Sequence, residues 1–283
     1  MRLATVRADG ETYAARLEDD TAIRLDAVDV GTLLTDPAWF QRAGADGPRV
    51  AAAGLDLAPV VPRPGKIVCV GLNYRAHILE MGRELPSHPT LFAKFADALI
   101  GPNDPLLLDG SSEAPDWEAE LALVVGTRVR HASPSQAEAA IAGFSVLNDV
   151  TMRDWQYRTT QWLQGKTFEA STPFGPCLVT PDELPGGTRP TVEVRCSLDG
   201  REVQRSNTAD LVFDPVDLVT YVSRIVTLHP GDVIATGTPA GVGHARTPPV
   251  RLAPGSVLVT EIEGIGRTTT PVTSVHESFG TSR

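Results

Sequence analysis

Short apolar runs separated by Gly, Pro, Asn and Asp dominate the chain, and their periods predict mostly strands. RLATVRA, the turn ADGE, TYAARLE and DDTAIRLD alternate apolar with polar positions, which predicts an antiparallel hairpin and a third strand beside it over the first 30 residues. KIVCVGL reads as a continuous buried strand, NYRAHILEMG as a short helix closed by Gly82, and HPTLFAKF, LIGPNDPLLL, WEAELALVVG and EVRCSLDG as further strands. Two stretches predict longer helices: SPSQAEAAIAGF, opened by Ser133 ahead of Pro134, and DPVDLVTYVSRIVTL, opened by Asp214 with Pro215 at the first helical position. The expected class is therefore strand-dominated α+β. The prolines and glycine of APVVPRPGK mark a boundary near Pro64, dividing a small N-terminal α+β domain, 1–64, from a larger domain, 65–283.

Composition narrows the function. With 25 basic and 35 acidic side chains the 283-residue chain carries a formal charge of -10. A nucleic-acid partner needs a basic face to neutralise phosphates, so none is expected. The longest apolar runs, such as Leu121 to Gly126, fall far short of the roughly 18–20 residues of a membrane-spanning helix, so no membrane association is expected. Acidic residues interrupt the first 20 positions before any apolar signal segment develops, and the expected location is the cytosol. Cys69, Cys177 and Cys196 are widely spaced in apolar settings and read as buried thiols rather than as a disulfide or metal framework.

Several segments are candidates for chemistry. Glu118 and Glu120 stand two apart in DWEAELALVVG, so on a strand they leave from one face. Paired carboxylates beside LALVV repel one another and resist desolvation unless a cation lies between them; the plain alternative is an edge strand with a solvated acidic face. Asp149 closes the apolar run SVLND and can add a third carboxylate, with Arg153 following within a turn of chain. Three oxygen ligands suit Mg²⁺ or Mn²⁺, whereas zinc would call for His or Cys. His77 and Glu80 lie at i and i+3 of the short predicted helix, where Glu80 can orient the imidazole as a general base. Lys166, in QWLQGKTF, is either surface or an electrostatic clamp for an anion or enolate. GDVIATGTPAGVG offers backbone N–H groups and the Thr238 hydroxyl to an anion, but matches neither a Walker loop nor a dinucleotide fingerprint.

In order along the chain, KIVCVGLNYRAHILEMG, LFAKFADALIGPNDP, DWEAELALVVG, NDVTMRDWQ, QWLQGKTF, GPCLVTPDEL, NTADLVF, LHPGDVIATGTPAGVG and EIEGIG resemble the fumarylacetoacetate hydrolase family, from about Lys66 to Val272. The resemblance implies the mixed β-roll of that family behind a small N-terminal domain, a homodimer, and a divalent metal, Mg²⁺ or Mn²⁺, on Glu118, Glu120 and Asp149. It assigns His77 and Glu80 to a His-Glu dyad on a lid segment, Lys166 to the catalytic lysine, and Arg153, Gln156 and Thr238 to substrate contacts. The chain departs from the family pattern at Phe95 and Asp97 after Lys94, at Gln164 and at Glu169; an inward-pointing Asp97 would disfavour a second substrate carboxylate.

The implied activity is that of a metal-dependent enzyme on a small 2-oxo or diketone acid. Ranked first is hydrolysis of a carbon–carbon bond in a 1,3-diketone acid of the acylpyruvate or fumarylpyruvate type by a His77-activated water. The alternative is decarboxylation of an oxaloacetate-like 2-oxo acid, with isomerase, hydratase or cyclase chemistry on the same scaffold, since a fold does not fix a reaction. A metal-binding protein without turnover is the remaining expectation, disfavoured by the retained His77, Glu80 and Lys166.

Overall fold

A computed structural model describes residues 1–80 and 82–274, and of Glu80 its backbone only. Among the described residues the largest sheet has twelve strands and is predominantly antiparallel. Its central strands are the most apolar: Ala119–Val125 lies between Ile141–Asn148 and Val233–Ala235, and every residue of the three is buried. Strands buried on both faces lose the alternation of a half-exposed strand, which is why LALVV and IAGFSVL read as continuous apolar runs. Beyond Val233–Ala235 come Ile67–Gly71 and then Thr90–Lys94. On the other side, Thr172–Val179 pairs with the first strand of the chain, Arg2–Ala8, through Arg2 opposite Val179 and Leu3 opposite Leu178. The predicted hairpin of the first 30 residues, Arg2–Ala8 with Glu11–Glu18 and then Thr21–Arg24, thus continues the large sheet rather than standing apart.

A second sheet of five strands, including Glu193–Leu198, Arg201–Asn207, Val257–Ile262 and Gly266–Ser274, packs across the first; Trp117, Phe144, Val194, Leu258 and Val272 belong to one buried cluster between them. Two helices cover part of that cluster. Pro134–Ala140 is capped by Ser133 and Gln136 in a reciprocal capping box, and Pro215–Ile225 by Asp214, whose carboxylate accepts from Val216 N and Asp217 N. The first helix ends four residues earlier than the sequence pattern predicts, because Ile141, Gly143 and Phe144 pair with Ala119–Val125 and Phe144 also with Thr172–Val179; ladder hydrogen bonds and two-sided burial outweigh the local helical pattern. LIGPNDPLLL gives two short strands, Leu99–Ile100 and Leu106–Leu108, because Pro102 and Pro105 cannot donate to a ladder. All three cysteines are buried, and burial pushes the thiols of Cys177 and Cys196 up to about 11 and about 12, which keeps them protonated. Among the described residues no helix is long and apolar enough to cross a membrane.

Candidate active site

The site is assembled at the ends of the central strands. Ala119 pairs with Asn148 and Glu120 with Leu147, so the register sets Glu118 beside Asp149. Two further hydrogen bonds fix this corner: Asp149 N donates to the Glu118 carbonyl (2.8 Å) and Glu118 N to Asn148 Oδ1 (2.9 Å). Glu118, Glu120 and Asp149 are all buried, and one carboxylate oxygen from each lies within 4.8 Å of the others. The solvated edge-strand reading of this acidic pair is thereby overturned, since its strand is central to the sheet.

Buried cations compensate the acids. Lys166 Nζ donates to Glu118 Oε2 (2.6 Å) and Asp149 Oδ2 (2.7 Å), and Lys94 Nζ to Asp149 Oδ1 (2.7 Å). Arg153 places Nη1 2.7 Å from Glu118 Oε1 and donates through Nε to Asp116 Oδ2 (2.8 Å). Burial opposes ionisation of Asp149, but Lys166 and Lys94 overcome it and hold its carboxyl below the usual range. Burial likewise opposes the charge on Lys166, and Asp149 and Glu118 override it, so the ammonium is held protonated.

Glu120 is treated differently. Its Oε2 accepts from Gly237 N at 2.8 Å, and burial, followed by the charges of Asp149 and Glu118, pushes its carboxyl well above the ordinary glutamate value. A buried carboxylate that two like charges disfavour, in a cluster whose other members face fixed cations, is a fitting place for a divalent cation. With every group ionised, Asp116, Glu118, Glu120 and Asp149 against Lys94, Lys166 and Arg153 leave one negative charge. A divalent ion turns that into one positive charge, which suits an anionic ligand.

A cavity of about 220 Å³ opens over these groups and is lined by His77, Glu118, Glu120, Arg153, Gln156, Lys166 and Thr238, together with Phe92, Tyr157, Trp162 and His244. The residues predicted from separate stretches of sequence therefore meet in one place, with Asp149 beneath them on Lys166. The side chain of Glu80 lies outside the described residues; its backbone ends the helix Arg75–Glu80 that carries His77. Thr238 lines the cavity, yet its hydroxyl donates to the Ala119 carbonyl (2.9 Å) and accepts from Gln204 Nε2 (2.9 Å), an anchoring arrangement. The departures at Asp97, Gln164 and Glu169 fall elsewhere: all three side chains are exposed, and Asp97 and Glu169 line a different depression with Arg7 and Arg63. Asp97, in the 3₁₀ turn Ala96–Ala98, does not line the cavity, so the condition under which it would disfavour a second substrate carboxylate is not met. Lys94 and Asp116, which the sequence reading did not place among the site residues, are buried members of the charge network.

The segment bearing Lys166 has no slack. Gly165 lies against the backbone of the helix Arg153–Gln156, where an added Cβ would come within 2.5 Å of Gln156 N and 2.6 Å of the Met152 carbonyl. Gly165→Ala must therefore displace Lys166 from its two carboxylates, and is expected to lower turnover at least a hundredfold and the melting temperature by several degrees, measured by steady-state kinetics and thermal melts.

A family profile described as Fumarylacetoacetate (FAA) hydrolase C-terminal matches residues 66–273. The chain belongs to the fumarylacetoacetate hydrolase family. It is 45% identical over 211 residues to a Rattus norvegicus protein named mitochondrial oxaloacetate tautomerase, a match covering 74% of this chain and 66% of the rat protein. It is 46% identical over 212 residues to the Homo sapiens mitochondrial oxaloacetate tautomerase FAHD2A, covering 74% and 67%. The chain thus spans about two thirds of the length of these relatives. Among solved structures it is similar to the fumarylacetoacetate hydrolase of psychrophilic Exiguobacterium antarcticum, with 32% identity, a TM-score of 0.86, and 97% and 99% of the two chains covered. It is also similar to 5-carboxymethyl-2-hydroxymuconate delta-isomerase from Mycobacterium smegmatis, with 30% identity, a TM-score of 0.80, and 97% and 100% covered. These findings establish an enzyme of the fumarylacetoacetate hydrolase superfamily with the mixed-sheet fold expected from the sequence. They overturn the cytosolic expectation, because the rat, bovine and human relatives are all named mitochondrial. That expectation rested on the lack of a membrane-length apolar run and of an apolar signal segment ahead of the first acidic residues.

For this family member the state of Glu120 without metal has a measurable consequence. A folded-state value above the unfolded one contributes stability that is fully present below about 4.5, the ordinary glutamate value, and is lost as pH rises through the folded value. Under EDTA, Glu120→Gln is therefore expected to gain stability relative to the natural chain as pH is raised from 5 to 8, with the difference vanishing towards pH 4. Chemical denaturation across that range measures it; parallel curves would refute the assignment.

Proposed function

We propose that this chain catalyses a metal-dependent enol–keto tautomerisation of an oxaloacetate-like 2-oxo acid. The reading places the metal, Mg²⁺ or Mn²⁺, on Glu118, Glu120 and Asp149, and it extends to a homodimer, testable by light scattering. The observation that carries it is the three buried carboxylates, with Lys166 bridging two of them, at the floor of a cavity small enough to hold a compact acid. The names of the rat and human relatives favour oxaloacetate and isomerisation over the hydrolysis of an acylpyruvate ranked first from the sequence.

When bound, the divalent ion supplies Lewis-acid stabilisation of negative charge on the substrate's oxygens. The remaining work falls to the chain. Arg153 and Gln156, joined at 3.0 Å, form the cavity edge that takes the substrate carboxylate. Lys166, kept protonated by its two carboxylates, stabilises the oxyanion that develops at C2 when the enol hydroxyl gives up its proton. His77 accepts that proton and delivers one to C3, so that the carbon–carbon double bond becomes the C2 carbonyl and the net change is one proton moved from oxygen to carbon. Phe92 and Trp162, packed edge to face at 5.5 Å, exclude water from the wall beside Lys166.

The test is to add enol-oxaloacetate, with Mg²⁺, Mn²⁺ or EDTA, and follow loss of the enol absorbance alongside release of CO₂. Metal-dependent loss of enol without CO₂ is expected. Stoichiometric CO₂ and pyruvate would instead make the enzyme a decarboxylase, and pyruvate plus acetate from acetylpyruvate would restore the hydrolase reading.

A further inference from the structure

Six ionised side chains run through the site in alternating sign: Lys94, Asp149, Lys166, Glu118, Arg153 and Asp116, with successive charged atoms 2.6 to 2.8 Å apart. Five of them either line the cavity or belong to the carboxylate cluster and its lysines. Asp116, at one end, does neither; it is buried behind Arg153 and does not line the cavity.

Its carboxylate is fully engaged. Oδ1 accepts from Trp117 N (2.8 Å) and Gly243 N (2.7 Å), and Oδ2 from Arg153 Nε (2.8 Å) and His244 N (2.9 Å). Four hydrogen bonds fill the roughly four lone-pair positions of a carboxylate, so Asp116 has no oxygen to offer as a fourth ligand to a metal. What those bonds do is tie two walls of the cavity together. Arg153 and Gln156 line it from one stretch of chain, and Val242, His244 and Ala245 from another. The loop backbone sits directly on the carboxylate: a Cβ at Gly243 would lie 2.7 Å from Asp116 Oδ1 and 2.1 Å from the Val250 carbonyl.

We infer that Asp116 is a positioning residue that sets affinity for the anionic substrate by holding the Arg153 guanidinium at a fixed place and angle against the 242–245 wall. The inference rests on the proposal that the substrate is a 2-oxo acid whose carboxylate meets Arg153. An arginine locked along its Nε edge presents a preformed face to a carboxylate, whereas a loose one must be ordered when the ligand arrives, which costs affinity. Asp116 touches neither the substrate nor the reacting atoms, so its influence belongs in KM and in ligand affinity rather than in kcat.

The experiment uses the full chain loaded with Mn²⁺ and oxalate as probe, a planar dianion resembling the enolate of a 2-oxo acid. Asp116→Asn retains an acceptor for Trp117 N and Gly243 N and removes the charge facing Arg153. It is expected to raise the oxalate Kd and the oxaloacetate KM at least tenfold while kcat and the Mn²⁺ Kd stay within threefold. In an Arg153→Met background the same change should alter the oxalate Kd less than twofold, because its route of action has gone. A tenfold effect that persists there, an oxalate Kd within twofold of the natural chain in the single variant, or a natural chain that binds no oxalate would each overturn the inference. Should Asp116→Asn fail to fold, Asp116→Glu keeps the charge and moves it by one methylene; a tenfold weaker oxalate Kd with normal Mn²⁺ binding supports the inference, and normal oxalate binding refutes it. If the natural chain binds oxalate but leaves enol-oxaloacetate unchanged, the proposed reaction falls while the role of Asp116 is still decided by the binding series.

Discussion

Lys166→Met is expected to reduce turnover by three orders of magnitude or more while tightening the site's hold on a divalent cation. Lys166 Nζ lies 2.6 Å from Glu118 and 2.7 Å from Asp149, with 98% of the residue's surface removed from solvent. In the metal-free protein it is the cation that reconciles those two carboxylates, so it competes electrostatically with any ion entering beside it. Two unit charges about 4 Å apart interact by roughly 4 kcal/mol at an effective dielectric of 20. Even a fraction of that repulsion, once removed, strengthens metal binding about tenfold or more. Methionine fills the stem volume and keeps an apolar contact with Phe92, over whose ring the ammonium sits at 4.9 Å, so packing is preserved. In the proposed reaction, what is lost is the positive charge at the developing oxyanion. Glu118→Ala should behave oppositely on one axis, losing both Mn²⁺ binding and turnover. Calorimetric titration with Mn²⁺ beside steady-state assays separates the two variants. A Lys166→Met protein that binds metal more weakly would show that the lysine builds the metal site rather than balancing it.

Much of this site was legible because strand geometry is periodic. Glu118 and Glu120 share a face by the two-residue alternation, and Asp149 announces itself as the first acid after an apolar run. Lys94 and Asp116 were not legible. A lysine ending TLFAK and an aspartate after a proline look like ordinary strand-end surface, and what buries them is long-range pairing. Ile67 opposite Lys94 and Pro115 opposite Met152 are register facts that no local window contains. The same limit applies to Asp97, whose orientation no local window shows and which follows Lys94 in a 3₁₀ turn outside the cavity. The early end of the helix Pro134–Ala140 is a related case, since residues 141–144 satisfy a helical pattern locally but are claimed by two strands distant in sequence.

Lys94→Met is expected to destabilise the metal-free protein by about 3–5 kcal/mol, the range for removing one partner of a buried ion pair. Lys94 Nζ is enclosed, donating to Asp149 Oδ1 at 2.7 Å and to the Val150 carbonyl at 3.3 Å. Methionine matches the stem but satisfies neither acceptor, and Asp149 is left with Lys166 alone against the burial that opposes its charge. The pH dependence identifies the cause. A carboxyl held below its ordinary value contributes stability that is present above the unfolded value, near 3.8, and is lost as pH falls through the folded value. Removing Lys94 takes away part of that contribution, so the natural and variant chains should differ most near neutrality and converge as pH drops below 4. Saturating Mn²⁺ should narrow the neutral-pH gap, because the ion replaces the missing positive charge beside Asp149 and binds only the folded chain. Urea denaturation at pH 7 and at about pH 2.5, below the unfolded value, with EDTA and with Mn²⁺, reads all four values. A deficit that is the same in every condition would mean that Lys94 contributes packing alone, and that Asp149 is held by Lys166 and the strand register without it.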